Sequence, residues 1–136
     1  YTDISYHDMV VWTDKIQKDP SIKMFAIRNN DSQVGVCGFT SIDRQNRSAE
    51  FSLYINPTDQ GSGLGRAALY TLLRHGFEDW GFHRIWGEVF QGNPARKMFE
   101  ALGFRAVGLL RHSYFREGKW IDSAIIDMLE GDLVGP

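Results

Sequence analysis

The chain has 136 residues, 43% of them apolar and 24% charged, the make-up of one globular domain with a core of its own. Its net charge of −2 gives no electrostatic reason to expect nucleic acid or an anionic membrane surface as a partner, and no apolar run approaches the ~20 residues that span a bilayer. A single cysteine, Cys37, rules out an internal disulfide, so a reducing cytoplasm is the expected setting and Cys37 reads as a small buried strand residue.

Ser5 and Asp8 resemble a helix start, and Tyr6, Met9, Val10, Thr13 and Ile16 fall on one helical face that stops before Pro20. Ile22 to Arg28, Gln33 to Asp43 and Ala49 to Ile55 read as strands with turns at Asn29–Ser32 and Arg44–Arg47. Connections this short make them an antiparallel meander. A helix from about Leu64 to Trp80 then leads to a strand at Arg84–Gln91, and a helical crossover of that length predicts a parallel pairing with the strand before it. Asn93-Pro94 opens a short helix that stops at Gly103, and Phe104–Phe115 pairs with Lys119–Leu129 around Glu117-Gly118. The order αβββαβαββ predicts an α/β mixed sheet over residues 1–136, without repeat or linker.

The segment Gln60-Gly61-Ser62-Gly63-Leu64-Gly65-Arg66 carries the most chemistry. It is a glycine-rich turn feeding a helix N-terminus, where uncovered N–H groups and the helix dipole suit a phosphate or pyrophosphate. A Walker loop fails, because Gly65 is followed by Arg66-Ala67 rather than Lys-Ser/Thr. A dinucleotide fingerprint is one residue short and follows a meander instead of opening a βαβ unit. The pattern left is Gln/Arg-x-x-Gly-x-Gly/Ala, met by Gln60, Gly63 and Gly65.

With that turn, the sequence resembles the GNAT superfamily of acyl-CoA-dependent N-acetyltransferases from about Ile22 to Leu129. Asn93 followed by Phe99-Glu100-Ala101-Leu102-Gly103-Phe104 looks like the family's Asn-then-Tyr-Glu-x-x-Gly-Phe segment. Gly108-Leu109-Leu110-Arg111, Phe115, Gly118-Lys119 and Asp122 are similar to the tail of the branch acting on ribosomal-protein N-termini and spermidine. Tyr1 to Ile27 looks more like bacterial amino-sugar acetyltransferases of nonulosonic acid biosynthesis. Those proteins carry a further strand and part of a helix upstream; with Tyr1 rather than Met in first place, the chain is expected to lack its natural beginning.

The resemblance implies that acetyl-CoA is the co-substrate, with its pyrophosphate on the backbone of Gln60, Gly61, Ser62, Gly63, Leu64, Gly65 and Arg66. It implies a sheet splayed at the cofactor, where the pantetheine arm meets the main chain of Leu53, Tyr54 and Ile55, with Asn93 hydrogen-bonding the same arm. Asn93 fits the role of a helix cap equally well. Transfer to an amine needs a carboxylate to take the ammonium proton. Glu88, five positions before Asn93, occupies the place of the base in the ribosomal-protein branch, and Glu50 roughly that in the histone-acetylating branch. Glu88 ranks slightly ahead, against the plainer reading of each as a half-exposed strand glutamate. Relatives protonate the departing thiolate with a tyrosine where this chain has Phe99, and Asn93 stands one residue closer than usual; water, Tyr54 or Tyr114 is left as donor. His75, His83 and His112 are too scattered for a metal site. His112, Ser113 and Tyr114 are pocket candidates, while Trp80, Trp86 and Trp120 read as core or interface packing.

The expected activity is direct acetyl transfer to a primary amine, with an amino sugar or similar small metabolite first and a protein N-terminus or polyamine second. The rival is an inactive CoA-binding module of the same fold, motivated by Phe99. A homodimer is expected because relatives often dimerise.

Overall fold

The computed structural model describes residues 9–11 and 18–135. The strands are β1 (Met9–Val11), β2 (Lys23–Asn29), β3 (Ser32–Asp43), β4 (Ser48–Ile55), β5 (Arg84–Phe90), β6 (Arg105–Arg116) and β7 (Lys119–Leu129). The helices are α1 (Leu64–Glu78) and α2 (Arg96–Leu102). The strands form one sheet in the order β1-β2-β3-β4-β5-β7-β6. Among the described residues only β4 and β5 pair in parallel, across the α1 crossover; the other neighbouring pairs are antiparallel.

The meander follows from its turns. Asn30 and Asp31 both take positive φ (52° and 68°), as do Glu117 and Gly118 (51° and 75°), the two-residue hairpin geometry whose twist matches that of the strands it joins. The beginning of the chain departs from expectation. Met9 and Val10, assigned above to a helical face, form with Val11 a strand that pairs Met9 with Ile27 and Val11 with Phe25. Two adjacent β-branched valines favour the extended backbone, and the edge of β2 offers a ladder to join. Tyr6, Thr13 and Ile16 lie outside the described residues.

Alternation along the strands gives the sheet two unlike faces. Phe25, Cys37, Phe39, Phe51, Ile85 and Ile126 are buried on one, in a single core with Leu69, Leu72 and Leu73 of α1 and Phe99 and Leu102 of α2. The helix lies close: a Cβ at Gly76 would stand 2.8 Å from the Phe39 ring and 3.1 Å from Ile85. Trp80 stacks on Phe25 at 5.6 Å and meets Phe39 edge-on at 5.4 Å, which is core packing as expected. Truncating Leu72, fully buried here, to alanine is expected to cost about 2–5 kcal/mol. The opposite face of β3, β4 and β5 carries Thr40, Glu50, Ser52, Trp86, Glu88 and Phe90.

Candidate active site

The glycine turn begins where β4 ends. Asn56 fastens that end to β3, its N–H donating to Val34 O (2.8 Å) and its side-chain amide to Gln33 O (3.1 Å). Gln60 Nε2 donates to Ile55 O (3.0 Å) and Ser62 Oγ to Asp59 O (2.8 Å), so both side chains are spent on shaping the turn. Gly61 and Gly63 sit at φ 82° and 84°, which favours glycine. The first bond of α1 runs from Ala67 N to Gly63 O (3.1 Å), and no side chain caps the helix. The N–H groups of Leu64, Gly65 and Arg66 therefore precede the helical ladder, at the positive end of a 15-residue dipole and with no acidic residue in the first turn. Leu64 buries its side chain in the core, so only its backbone is available to a ligand.

Beside the turn the sheet opens. β4 and β5 pair only at Ser48↔Arg84, Ala49↔Ile85 and Glu50↔Trp86. Beyond that, β4 continues on β3 as far as Ile55, and β5 on β7 as far as Phe90, without a shared ladder. The Asn56–Val34 bond sets the phase of β4: antiparallel alternation turns the main-chain groups of Tyr54 toward β3 and those of Leu53 and Ile55 into the gap. Ile55 O is already held by Gln60 there. Tyr54 keeps its side chain 53% exposed on the polar face.

Glu50 occupies the last paired position of the parallel ladder, and Glu88 stands two residues beyond the end of that ladder on the same face; both are half-buried. Thr40, opposite Glu50 on β3, donates its hydroxyl to Glu50 Oε1 (3.5 Å). Burial, and then the negative charge of Glu88, raise the pKa of Glu50, with the Thr40 bond opposing them. The terminal hairpin contributes from the other side. Between Leu110 and Tyr114 the ladder of β6 on β7 slips, His112 taking φ 51°. The irregularity is tied down by His112 N on Asp122 Oδ1 (2.8 Å) and by a 2.7 Å bond between the hydroxyls of Ser113 and Ser123. Such a bulge bends the strand. Tyr114 then comes within 6.2 Å of the Phe90 ring, centroid to centroid. Hydrogen bonding to the Glu88 carboxylate, then burial and the charge of Glu88, raise the pKa of its phenol; Glu50 adds to this and Arg116 opposes it. The phenol is thus held as a proton donor.

The remaining candidates fall elsewhere. Phe99 is only 7% exposed, 5.3 Å edge-on to Phe51 and 6.1 Å from Phe104, so it belongs to the core. Asn93 Oδ1 accepts from Ala95 N (2.9 Å) in the turn ahead of α2, whose cap position is Ala95. Asn93 therefore shapes the entry to the helix rather than capping it, the alternative that the sequence offers. His112 and Trp120 stack at 6.1 Å on the hairpin; Trp120 is 59% exposed and no part of the core. A concavity of about 650 Å³ lies outside α1 among Tyr70, Arg74, Glu78 and Glu130, away from both the turn and the carboxylates, so size alone does not select the site. Among the described residues no group of His, Cys, Asp and Glu is arranged to hold a metal, and no helix is long and apolar enough to cross a membrane. Sequence reasoning missed Thr40 and Arg116. Thr40 was within reach, since it mirrors Glu50 across the β3–β4 turn; nothing local marks Arg116.

Residues 2–104 match the acetyltransferase (GNAT) family. An uncharacterized N-acetyltransferase, p20, of Bacillus licheniformis is 29% identical over 99% of this chain and 78% of its own length. Spermidine N(1)-acetyltransferase of Escherichia coli is 29% identical over 79% of the chain, which spans 58% of that enzyme. The crystal structure of spermidine N-acetyltransferase from Vibrio cholerae in complex with CoA and spermine superposes with a TM-score of 0.82 at 27% identity, covering 88% of this chain and 72% of that one. The mixed sheet with its parallel pair, the glycine turn and these likenesses agree, and the chain belongs to the acetyltransferase (GNAT) family of N-acetyltransferases.

Proposed function

We propose that the chain moves the acetyl group of acetyl-CoA directly to the primary amine of a small molecule, an amino sugar or similar, with a protein N-terminus as second choice. The observation that carries this reading is the opening of the β4–β5 ladder immediately after Glu50 and Trp86, with Glu88 on its lip. Amides of the Gln60–Arg66 turn bind the CoA pyrophosphate, Leu53 and Ile55 hydrogen-bond the pantetheine arm through the gap, and Asn93 reaches it through Nδ2. Glu88 takes the proton of the attacking ammonium, directly or through a water, with Glu50 beside it. The neutral amine nitrogen then bonds to the acetyl carbon and gives its second proton to solvent, the C–S bond breaks, and the thiolate leaves to be protonated from solvent. No acyl-enzyme is involved: Cys37 is buried in the core and burial pushes its thiol up to about 12.

A homodimer is supported by β6, an edge strand exposed along its whole length with Leu109 62% and Phe115 61% exposed. A spermidine N-acetyltransferase of Vibrio cholerae is dodecameric. The one reduced cysteine suits a cytoplasmic setting. The deciding experiment measures thiol release from acetyl-CoA against a panel of amines. Amine-dependent release is expected; CoA binding without it across the panel overturns transfer and leaves a CoA-binding module.

A further inference from the structure

One cation already occupies the acceptor side of the gap. The guanidinium carbon of Arg116 lies 4.3 Å from the centroid of the Phe90 ring and 5.9 Å from that of Tyr114. Phe90 is two residues beyond Glu88 on the same face of β5, and its ring and that of Tyr114 stand 6.2 Å apart at 69°. Arg116 and Glu50 both act electrostatically on the phenol that faces Glu88, so the two carboxylates, the two rings and the guanidinium share one neighbourhood. Aromatic faces beside carboxylates are what a protein presents to an ammonium ion. Here that place is filled by the guanidinium of the chain's own arginine, tethered to the rings by the tight Glu117-Gly118 turn.

We infer that Arg116 is a specificity-determining residue, which reserves the acceptor site for amines carrying one positive charge and a neutral or anionic remainder. The inference rests on the proposed transfer to a primary amine and narrows its substrate class. An acceptor's reacting nitrogen loses its proton and its charge beside Glu88. A second ammonium a few ångströms away keeps its charge and meets the guanidinium instead of the open rings. Two like charges about 6 Å apart, at the effective dielectric found near a protein surface and with physiological salt screening them by roughly half, weaken binding by roughly tenfold. A hydroxyl or carboxylate at the same place gains the arginine's donors.

The test compares spermidine, a polyamine, with glucosamine, a monoamine rich in hydroxyls, as acceptors for the wild-type chain, Arg116→Gln and Arg116→Lys. The ratio of kcat/KM for spermidine to that for glucosamine is expected to rise about tenfold in Arg116→Gln and to stay near wild type in Arg116→Lys, which keeps the charge. An unchanged ratio in Arg116→Gln, or an equal rise in both variants, overturns the inference. If no amine is acetylated by any of the three, the transfer reading fails, and calorimetric binding of spermidine decides the point separately. About tenfold tighter binding to Arg116→Gln than to wild type upholds the role of Arg116, and equal affinity ends it.

Discussion

The two ends of the proposed site, one for the cofactor and one for the acceptor, are built on different principles. The cofactor end is one run of backbone, Gln60 to Arg66, between a strand end and a helix start, and its chemistry resides in amide groups. The acceptor end is assembled from side chains of four strands, Thr40, Glu50, Glu88 and Tyr114, that meet only when the sheet and its terminal hairpin have formed. A backbone site tolerates side-chain change but not a change of conformation. A side-chain site behaves the other way. Substitutions at each end can therefore break or sharpen the contrast.

The largest effect is expected at the acceptor end. Glu88→Gln keeps the shape of the lip and removes the proton acceptor, so kcat/KM at neutral pH should fall about 100-fold or more. The deficit should shrink at high pH, where the amine deprotonates unaided. CoA affinity, read by calorimetry, should barely move. A pH-independent loss, or none, would transfer the role to Glu50 or to water.

At the cofactor end the sensitive property is conformation. Gly63→Val forces a β-branched residue to a φ of 84°, at a cost of about 1–2 kcal/mol. The turn should relax by moving its amides, and CoA affinity should drop on the order of tenfold. Ser62→Ala, which removes only the hydroxyl bond to Asp59 O, should cost much less. Equal losses from the two would mean that side chains rather than backbone bind the phosphates.

The contrast also explains what could be read before folding. The turn was legible because glycines, helix start and preceding strand are contiguous, whereas the gap behind it was legible only through the resemblance to the family, since a crossover to a parallel strand by itself predicts pairing. The carboxylates were legible singly, each from its place in the resemblance to one branch of the family. Their shared neighbourhood with Tyr114 was not, since it depends on the slip between Leu110 and Tyr114, to which no sequence period points. The strand at Met9–Val11 was misread because Met9 and Val10 satisfy a helical period as well as a strand, and only the free edge of β2 decides between them.

Phe99 tests the border between the ends. Giving it the hydroxyl that relatives use at this position should not raise kcat, because the ring lies among Phe51 and Phe104 rather than in the gap. Phe99→Tyr is expected to cost about 1–3 kcal/mol of stability for burying a hydroxyl without a partner, measured by chemical denaturation. A gain in kcat at unchanged stability would place the ring at the cofactor after all.

The smallest effect, and the most specific to the acceptor end, belongs to Glu50. Its pKa is raised, so in the folded chain it binds a proton more tightly than when unfolded. For a carboxyl shifted that way, stability falls as pH rises from the ordinary carboxylate range through the raised value, and the penalty persists at neutral pH. Glu50→Gln removes a half-buried charge facing Glu88 and should raise Tm slightly at pH 7. The gain should vanish toward pH 3, where the wild-type carboxyl is neutral as well. Because Glu50 is partly exposed, solvent keeps the difference small. The opposite sign, a loss at pH 7, would mean that the 3.5 Å bond from Thr40 outweighs burial and the repulsion by Glu88. Glu50 would then be a structural anchor of β4 on β3, and Glu88 would face the acceptor without a partner carboxylate.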